Sequence, residues 1–137
     1  MTATQWLVKT EPEEFSWDDL VARPGSRWDG VRNVEARNNL RKMALGDRVL
    51  VYHTGKQRQI VGIAEVVTTA YRDPTSTRGI WSAVDVTALQ PLPTPVTLAT
   101  LKADASFDDC LLTRRPRLSV MPIEEKHFKA ILKLGGA

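Results

Sequence analysis

One apolar run constrains the fold of this chain more than any other feature. Arg48-Val49-Leu50-Val51-Tyr52-His53 is a nearly continuous apolar run of strand length, which is typical of a strand covered on both faces. Between Ile80 and Leu89, the apolar residues alternate with polar ones, as in a strand with one buried face. Further strands are predicted at Gln5 to Val8, Ile60 to Thr69 and Leu118 to Val120.

Helix signals lie between these strands, without a regular alternation of strand and helix. Ser16, with Asp19 three residues later, predicts a capping box and a short helix to about Ala22, although its hydroxyl could instead bind a ligand. Ala36, Leu40 and Met43 share one face of a helix predicted over Val34 to Met43. This order of elements predicts an α+β fold, a small and largely antiparallel β-barrel decorated by helices.

The remaining segments are read from prolines, glycines and caps. Prolines 91, 93 and 95 are predicted to break the preceding strand into an extended linker, and Thr97 to cap a short helix to about Lys102. Gly62 predicts a bulge or a close approach by another group. A structured turn is predicted at 71–75, a basic loop at 113–117, and a last helix from Pro122 that ends at Gly135.

Length and composition fit one domain over residues 1–137. An apolar share of 42% suffices for a core, and the single Cys110 excludes an internal disulfide, fits a reducing compartment and is expected to be buried. The N-terminus lacks a secretory signal pattern, and no stretch approaches the about 18 apolar residues of a membrane span. We expect a cytoplasmic protein that does not bind membranes. A monomer is expected, with a higher oligomeric state left open.

The stretch Trp28-Asp29-Gly30-Val31-Arg32-Asn33 concentrates recognition chemistry in six residues. Gly30 can adopt a positive φ, so the chain can reverse there and hold Trp28 and Asn33 on the same side. An aromatic ring, an amide and guanidinium groups are what base recognition uses. The stretch therefore predicts one wall of a binding pocket. The alternative is that Trp28 is a half-buried core residue and that Arg37 and Arg41 are merely solvated.

Charge is unevenly distributed along the chain. Residues 1–22 carry one lysine against five acids, whereas residues 23–58 carry nine lysines and arginines against three acids. In residues 59–137, nine cations nearly balance eight acids. The basic block coincides with the Trp28 to Asn33 motif and is what an anionic partner such as a phosphate backbone requires.

Catalytic chemistry is poorly represented in the sequence. The two histidines, His53 and His127, are far apart, and His127 falls in a predicted helix, where a surface or packing role is expected. Metal-ligand spacings, nucleophile elbows and phosphate-cradling glycine loops are absent from the sequence. Adjacent acids are typical of solvated caps rather than of an acid/base pair. We therefore expect a binding protein without metal or cofactor rather than an enzyme.

Motifs along nearly the whole chain closely resemble the EVE domain family. They are Trp6-Leu7-Val8-Lys9-Thr10-Glu11-Pro12, Phe15-Ser16, Trp28-Asp29-Gly30-Val31-Arg32-Asn33, Ala36-Arg37-Asn38-Asn39-Leu40-Arg41, Val51-Tyr52-His53, Gly62-Ile63-Ala64-Glu65-Val66, Tyr71-Arg72-Asp73-Pro74-Thr75 and Arg117-Leu118-Ser119-Val120. The resemblance implies a PUA-like β-barrel that reads modified bases in nucleic acid, especially modified cytosine in DNA.

The resemblance also implies site residues. The base-binding pocket is expected at Lys9, Ser16, Trp28, Gly30, Val31, Asn33, Tyr52, His53, Thr54 and Ser119. The basic residues in and around the central motif predict the phosphate contacts, at Arg32, Arg37, Arg41, Lys56, Arg114 and Arg117, with the pocket residue Lys9 as a further candidate. The resemblance places Arg117 near the pocket positions as well. Thr54 stands where many relatives have Ser, which keeps the hydroxyl.

Within this set, Trp28 is expected to supply the apolar wall, and Asn33 and Ser16 the hydrogen bonds. Tyr52 and His53 follow one another on a strand and point to opposite faces, so at most one lines a given cavity. Two other functions stay open from the sequence. One is an enzyme acting on nucleic acid or a nucleotide, with His53 or Lys9 in its site. The other is an RNA-binding accessory module without preference for modified bases.

Overall fold

Six strands form one open mixed sheet in the computed structural model, which describes residues 4–137. The strands β1 to β6 are Gln5–Thr10, Ser26–Trp28, Arg48–His53, Gln59–Arg72, Ser82–Thr97 and Val120–Ile123. The helices α1 to α5 are Trp17–Ala22, Val34–Lys42, Leu98–Lys102, Leu111–Arg114 and Glu125–Leu134, with a 3-10 turn at Ala105–Phe107. Residues 1–3 of the expected domain lie outside the described part.

The predicted α+β class is confirmed, but the expected closed barrel is wrong. The strand order is β2-β5-β4-β3-β1-β6, in which β1 and β3 are parallel and the other neighbouring pairs are antiparallel. Closing a sheet requires its two edge strands to pair. Within residues 4–137, β2 and β6 form no such ladder. Helix α2 packs against both β5 and β6 instead, and so spans the gap between the two sides of the sheet.

The interior is built as the strongest apolar patterns predicted. In β3, residues 49–53 are all buried, so this strand is covered on both faces. Ala36, Leu40 and Met43 of the α2 segment are at most 4% exposed. The α2 helix itself ends at Lys42, and Met43 is its C-cap.

The helix caps and the surroundings of Gly62 also follow the sequence. Ser16 and Asp19 form a capping box at the start of α1, with each side chain accepting from the other residue's backbone N–H. Thr97 caps α3 by accepting from the Thr100 N–H at 3.1 Å. Gly62 lies at a register shift between β4 and β5, and the Trp17 ring packs directly against it. Both features predicted for this glycine are therefore present.

The prediction that the prolines end the strand is wrong. Strand β5 runs through Pro91, Pro93 and Pro95 as far as Thr97. Because β2 pairs only with residues 84–86 of β5, the proline-containing half has a sheet partner on one side alone. Proline lacks an N–H to donate, and an edge position tolerates that loss.

Three boundaries near the C-terminus also differ from the prediction. The last strand is Val120–Ile123 rather than 118–120, because it pairs with β1 up to Gln5 opposite Ile123. Pro122 is therefore a strand residue at the sheet edge, and the last helix begins only at Glu125. In the predicted basic loop, residues 113 and 114 belong to α4. The end of the last helix at Gly135 is confirmed.

Cys110 and His127, the residue types most often used in catalysis among those considered, are both buried in the interior. Cys110 is 1% exposed, and burial raises the pKa of its thiol, which disfavours the thiolate nucleophile. His127 is 3% exposed and stacks on Phe107 with 5.4 Å between the ring centroids. Their expected buried and packing roles are confirmed. None of the helices in residues 4–137 combines the length and apolarity needed to cross a bilayer.

Candidate nucleic-acid interface

The parallel pair β1 and β3 creates the edge around which the candidate site lies. Thr10 at the end of β1 is opposite His53 at the end of β3, so both carboxyl ends emerge at the same edge. The Thr54 N–H donates to the Thr10 carbonyl, and the Lys9 N–H donates to the Ser119 carbonyl, each at 2.9 Å. The loop after β3 and the segment before β6 are thereby fixed beside β1.

One hollow at this edge, here called the His53 cavity, has a volume of about 690 Å³. It is lined by residues 11–13 and 16–18, by His53 and residues 55–57, and by Val61. A volume in this range can hold a small organic ligand. The indole of Trp17 and the side chain of Val61 give it an apolar wall, and Ser16 and Gln57 add polar groups.

Both ring nitrogens of His53 make hydrogen bonds, and these define the tautomer of the ring. Its Nε2 accepts a hydrogen bond from the Trp17 backbone N–H at 3.0 Å. A backbone N–H can only donate, so this nitrogen carries a lone pair and the ring proton is on Nδ1. Nδ1 then donates to Gln57 Oε1 at 2.8 Å. His53 therefore orients the start of α1 and the loop that carries Gln57.

A second hollow, here called the Trp28 cavity, has a volume of about 450 Å³. Its lining comprises residues 9–11, 14–15 and 27–30. Trp28 is only 7% exposed, and it makes an edge contact with Phe15 at 6.0 Å between ring centroids. Trp28 is thus a core residue, and a small part of its ring surface also lines the cavity. The two alternatives considered for it, a pocket wall and a core position, both describe it in part.

The charge around the Trp28 cavity is mixed rather than uniformly positive. Lys9 and Arg27 face three carboxylates, those of Glu11, Glu14 and Asp29. Arg27 is paired with Asp29 at 2.7 Å. This cavity therefore offers hydrogen-bond donors and acceptors side by side.

Lys9 is fixed between the Trp28 cavity and the segment before β6. Its Nζ lies 5.4 Å from the centroid of the Tyr52 ring and donates to the Pro116 carbonyl at 2.9 Å. Burial lowers the pKa of Lys9 and raises the pKa of Tyr52. Tyr52 is 4% exposed, and the face of its ring packs against the Lys9 ammonium.

The turn at Gly30 divides the central motif. Gly30 has φ +77°, as expected, and its N–H donates to Asp73 Oδ2 at 2.9 Å. Trp28 and Asn33, which we expected on one side of this turn, line different hollows. Asn33 lines a hollow of about 310 Å³ formed with residues 114–118, here called the Arg117 hollow. Its Oδ1 caps α2 by accepting from the Ala36 N–H at 2.9 Å.

The other expected pocket residues lie around these cavities. Val31 is 7% exposed and belongs to the core. Thr54 donates through its hydroxyl to Glu11 Oε2 at 3.1 Å, which places it between the two larger cavities. Ser119 is half-buried and contributes its carbonyl to the Lys9 N–H.

Three of the residues expected to contact phosphates hold one loop. Arg32 pairs with the buried carboxylate of Asp73 at 2.9 Å, and Arg37 and Arg41 both donate to the Ile80 carbonyl. The guanidinium carbons of Arg32 and Arg37 lie 5.8 and 5.6 Å from the centroid of the Trp81 ring. These arginines therefore fix the segment from Asp73 to Trp81.

By contrast, the other three expected phosphate contacts are free. Within residues 4–137, the side chains of Lys56, Arg114 and Arg117 have no hydrogen-bond or ion-pair partner. All three are exposed. Lys56 lines the His53 cavity, and the two arginines line the Arg117 hollow.

The sequence reading missed four residues of this region: Phe15, Trp17, Gln57 and Trp81. Trp17 had an indirect signal, because Gly62 predicted a close approach by an unnamed group. Phe15 is part of a recognised motif but carried no assigned role. For Gln57 and Trp81 the sequence contains no signal, since their roles depend on residues brought near by folding.

The fold and these hollows define a small α+β domain of the PUA-like class. An ASCH protein from Zymomonas mobilis has the same fold, with a TM-score of 0.61 at 14% identity over 95% of this chain and 94% of that one. The family model of the EVE domain matches residues 4–134. The chain belongs to the EVE domain family, which confirms the resemblance noted from its motifs.

Similar proteins come from bacteria and from animals. A protein of Rhodopseudomonas palustris solved by NMR is 44% identical, with a TM-score of 0.92 and coverage of 98% of this chain and 94% of that one. Human thymocyte nuclear protein 1 is 32% identical, over 96% of this chain and 74% of its own length. A crystal structure of human THYN1 in complex with 5-methylcytosine-containing DNA superposes with a TM-score of 0.90, covering 98% and 99% of the two chains at 32% identity.

Proposed function

We propose that this chain binds DNA that contains modified cytosine and holds the modified base in the Trp28 cavity, without catalysing a reaction. The observation that carries the proposal is the similarity to human THYN1, which was crystallised with 5-methylcytosine-containing DNA. That similarity extends over nearly the full length of both chains. The hollows and free cations at the edge of β1 and β3 support it.

The groups around the Trp28 cavity suit the edge of a cytosine. Cytosine presents an amino group, which can donate a hydrogen bond to a carboxylate. Beside it are a ring nitrogen and a carbonyl oxygen, which accept hydrogen bonds. Glu11 would accept from the amino group, and the Lys9 ammonium would donate to the acceptors. Phe15 and Trp28 supply apolar surface for the methyl group. Ser16 and Asn33 line other hollows, so we assign the hydrogen bonds to Lys9 and Glu11 instead.

Magnitudes set what this pocket can contribute. Stacking on aromatic rings is worth about 1–3 kcal/mol per base, which roughly offsets the few kcal/mol needed to extrude a base from a duplex. Burying a methyl group adds about 0.8 kcal/mol, a roughly fourfold preference. Most of the affinity must then come from cations that contact phosphates.

An enzymatic function receives no comparable support. His53, the residue considered for acid or base chemistry, has both ring nitrogens engaged with Trp17 and Gln57. The expectation of a binding protein rather than an enzyme is therefore kept in the proposal. A monomeric state and a cytoplasmic location stay predictions from the sequence, as does the choice of DNA over RNA.

The test is a binding titration with fluorescently labelled oligonucleotides, single- and double-stranded, of DNA and RNA. Each carries one cytosine that is plain, 5-methylated or 5-hydroxymethylated. We expect the tightest binding to methylated DNA, by roughly fourfold over plain DNA if the methyl group alone is read. Equal or negligible binding to every probe would refute the proposal, and a preference for RNA would favour the accessory module instead.

The pocket assignment needs a variant that keeps the fold. Trp28→Ala is unsuitable, because emptying a buried aromatic site costs about 3–5 kcal/mol of stability. Lys9→Met keeps the alkyl chain over Tyr52 and removes the charge. It should weaken binding by roughly 10- to 100-fold, since a hydrogen bond to a charged group is worth about 1.5–3 kcal/mol. Gln57→Ala in the His53 cavity is the control and should keep the methyl preference.

A further inference from the structure

Three cations from two separate elements surround a hollow that the sequence did not indicate. Lys56 and Arg58 come from the loop between β3 and β4, and Lys102 is the last residue of α3. The hollow has a volume of about 460 Å³, and no carboxylate is among its lining residues. We call it the Lys102 hollow.

These three cations lack partners in the part of the chain that the structure describes. None of their side chains makes an ion pair or a hydrogen bond within residues 4–137, and all three are exposed. The exposed Arg115, by contrast, is paired with Glu35 at 2.6 Å. Like charges gathered without counter-charges repel one another, so an anionic partner would be favoured at this place.

The backbone holds this cationic group in place. Arg58 has φ +43°, and it is the single residue other than glycine with a positive φ among residues 4–137. Its carbonyl accepts a hydrogen bond from the Leu98 N–H at 2.9 Å, which ties the loop to the start of α3. An unfavourable backbone conformation that persists in this way marks a candidate functional position.

The hollows follow one another in a connected series around the edge of β1 and β3. Lys56 and Gln57 line both the Lys102 hollow and the His53 cavity. Glu11 lines both the His53 cavity and the Trp28 cavity. From the Trp28 cavity, Lys9 reaches the carbonyl of Pro116, which belongs to the Arg117 hollow. Free cations therefore lie at both ends of the series, with the base-sized cavities between them.

We infer that the two ends bind the phosphates on either side of the extruded base. Lys56, Arg58 and Lys102 would contact the backbone of one flank, and Arg114 and Arg117 that of the other. The partner is a nucleic-acid strand that runs across the edge of β1 and β3, and the inference rests on the proposed function. Cations that contact phosphates fix the position of the strand without reading its sequence.

Two lysines offer a matched comparison. Lys102 and Lys42 are both exposed, each is the last residue of its helix, and neither has a partner within residues 4–137. Lys42 precedes β3 in the chain and so lies toward the amino end of that strand, whereas the hollows lie at its carboxyl end. Replacing either with glutamine removes one charge, but only Lys102→Gln removes a proposed phosphate contact.

The measurement is the salt dependence of affinity for the methylated DNA probe. A plot of the logarithm of the association constant against the logarithm of the salt concentration falls with a slope set by the number of phosphate contacts. Each lost contact reduces the magnitude of that slope by about 0.9 for duplex DNA and about 0.7 for single strands. Lys102→Gln should show this loss, and Lys42→Gln should keep the slope of the unaltered chain. Replacing Lys56, Arg58 and Lys102 together should lower the slope by about 2–3, with the ratio of methylated to plain binding unchanged.

Shortened probes test whether the two ends contact different flanks. With the modified cytosine at one terminus of the strand, one group of cations has no phosphates to contact. Lys102→Gln should then weaken binding for one polarity of probe, and Arg117→Gln for the other. If the unaltered chain binds none of the probes, the proposed function fails. If it binds but Lys102→Gln behaves as Lys42→Gln does, the inference alone is overturned.

Discussion

The indole ring of Trp17 lies directly against the backbone of Gly62. A Cβ on residue 62 would lie 2.5 Å from Cη2 of that ring, closer than real contacts allow. Trp17 is also the first residue of α1, and its N–H donates to His53. The absence of a side chain at Gly62 therefore fixes the position of α1 over β4 and shapes the wall of the His53 cavity.

Gly62→Ala should accordingly destabilise the fold. The added methyl group must displace the Trp17 ring, and overpacking of this kind costs about 1–3 kcal/mol. We expect a lower urea midpoint with an unchanged m-value, measured by tryptophan fluorescence. Because the His53 cavity is not the proposed base pocket, methyl preference should persist in the fraction that is folded.

The cause of that loss can be isolated by a second substitution. Trp17→Val removes the ring that the methyl group would strike, so Gly62→Ala should cost much less in its presence. The two costs are then non-additive, as expected for residues in contact. Additive costs would show that strain in the β4 backbone, rather than the ring, is responsible.

The sequence predicted the elements whose determinants are local. The capping box of Ser16 and Asp19 and the apolar face of α2 each involve residues within one or two turns, and both were found. The buried strand Arg48–His53 was likewise readable from its own composition. The EVE motifs then gave the family and the class of fold.

What the sequence did not predict depends on pairing between distant segments. Pro91 stays in a strand because β2 is too short to cover it, and Pro122 does so because β6 is an edge strand. The sheet is not closed into a barrel for the same kind of reason, because its two edge strands, β2 and β6, do not pair with each other. Local propensity carries no information on such neighbours.

The same limit explains how the candidate site differs from its prediction. Lys9 contacts Pro116 across 107 positions. Six of the ten expected pocket residues divide among three hollows, and the other four line none of these three. Arg32, Arg37 and Arg41 were read as phosphate contacts from their charge. Folding also placed partners within the chain beside them, above all Asp73 and the Ile80 carbonyl.

Asn33 tests whether an amide of the central motif reads the base or only caps α2. Asn33→Ser keeps an oxygen that can accept from the Ala36 N–H, so stability should change by no more than a few tenths of a kcal/mol, whereas Asn33→Ala should lose about 1 kcal/mol. Since Asn33 lies outside the Trp28 cavity, Asn33→Ser should keep the preference for methylated DNA. Loss of that preference in the oligonucleotide titration would show that Asn33 contacts the base, as the sequence predicted.

Asp73 makes the stability of the central motif dependent on acid. Burial alone would raise the pKa of this carboxyl group, but hydrogen bonds from Thr75, Gly30 and Arg32 outweigh burial and hold it well below its usual range. The folded state therefore binds the proton more weakly than the unfolded state, whose carboxyl has a pKa of about 3.9. The resulting stabilisation is present above about pH 4 and is lost as the pH falls toward the folded value.

Asp73→Asn should remove this stabilisation and its pH dependence together. At pH 7 we expect a loss of about 2–3 kcal/mol, because an amide nitrogen would face donors on Gly30 and Arg32 in place of a carboxylate oxygen. The difference from the unaltered chain should narrow between pH 4 and pH 2, measured as urea midpoints at fixed ionic strength. Asp108→Asn is the control, because that exposed carboxyl has no hydrogen-bond partner within residues 4–137. A difference that stays constant from pH 7 to pH 2 would mean that the Asp73 charge contributes nothing and that the hydrogen-bonding shape of its side chain alone holds the turn.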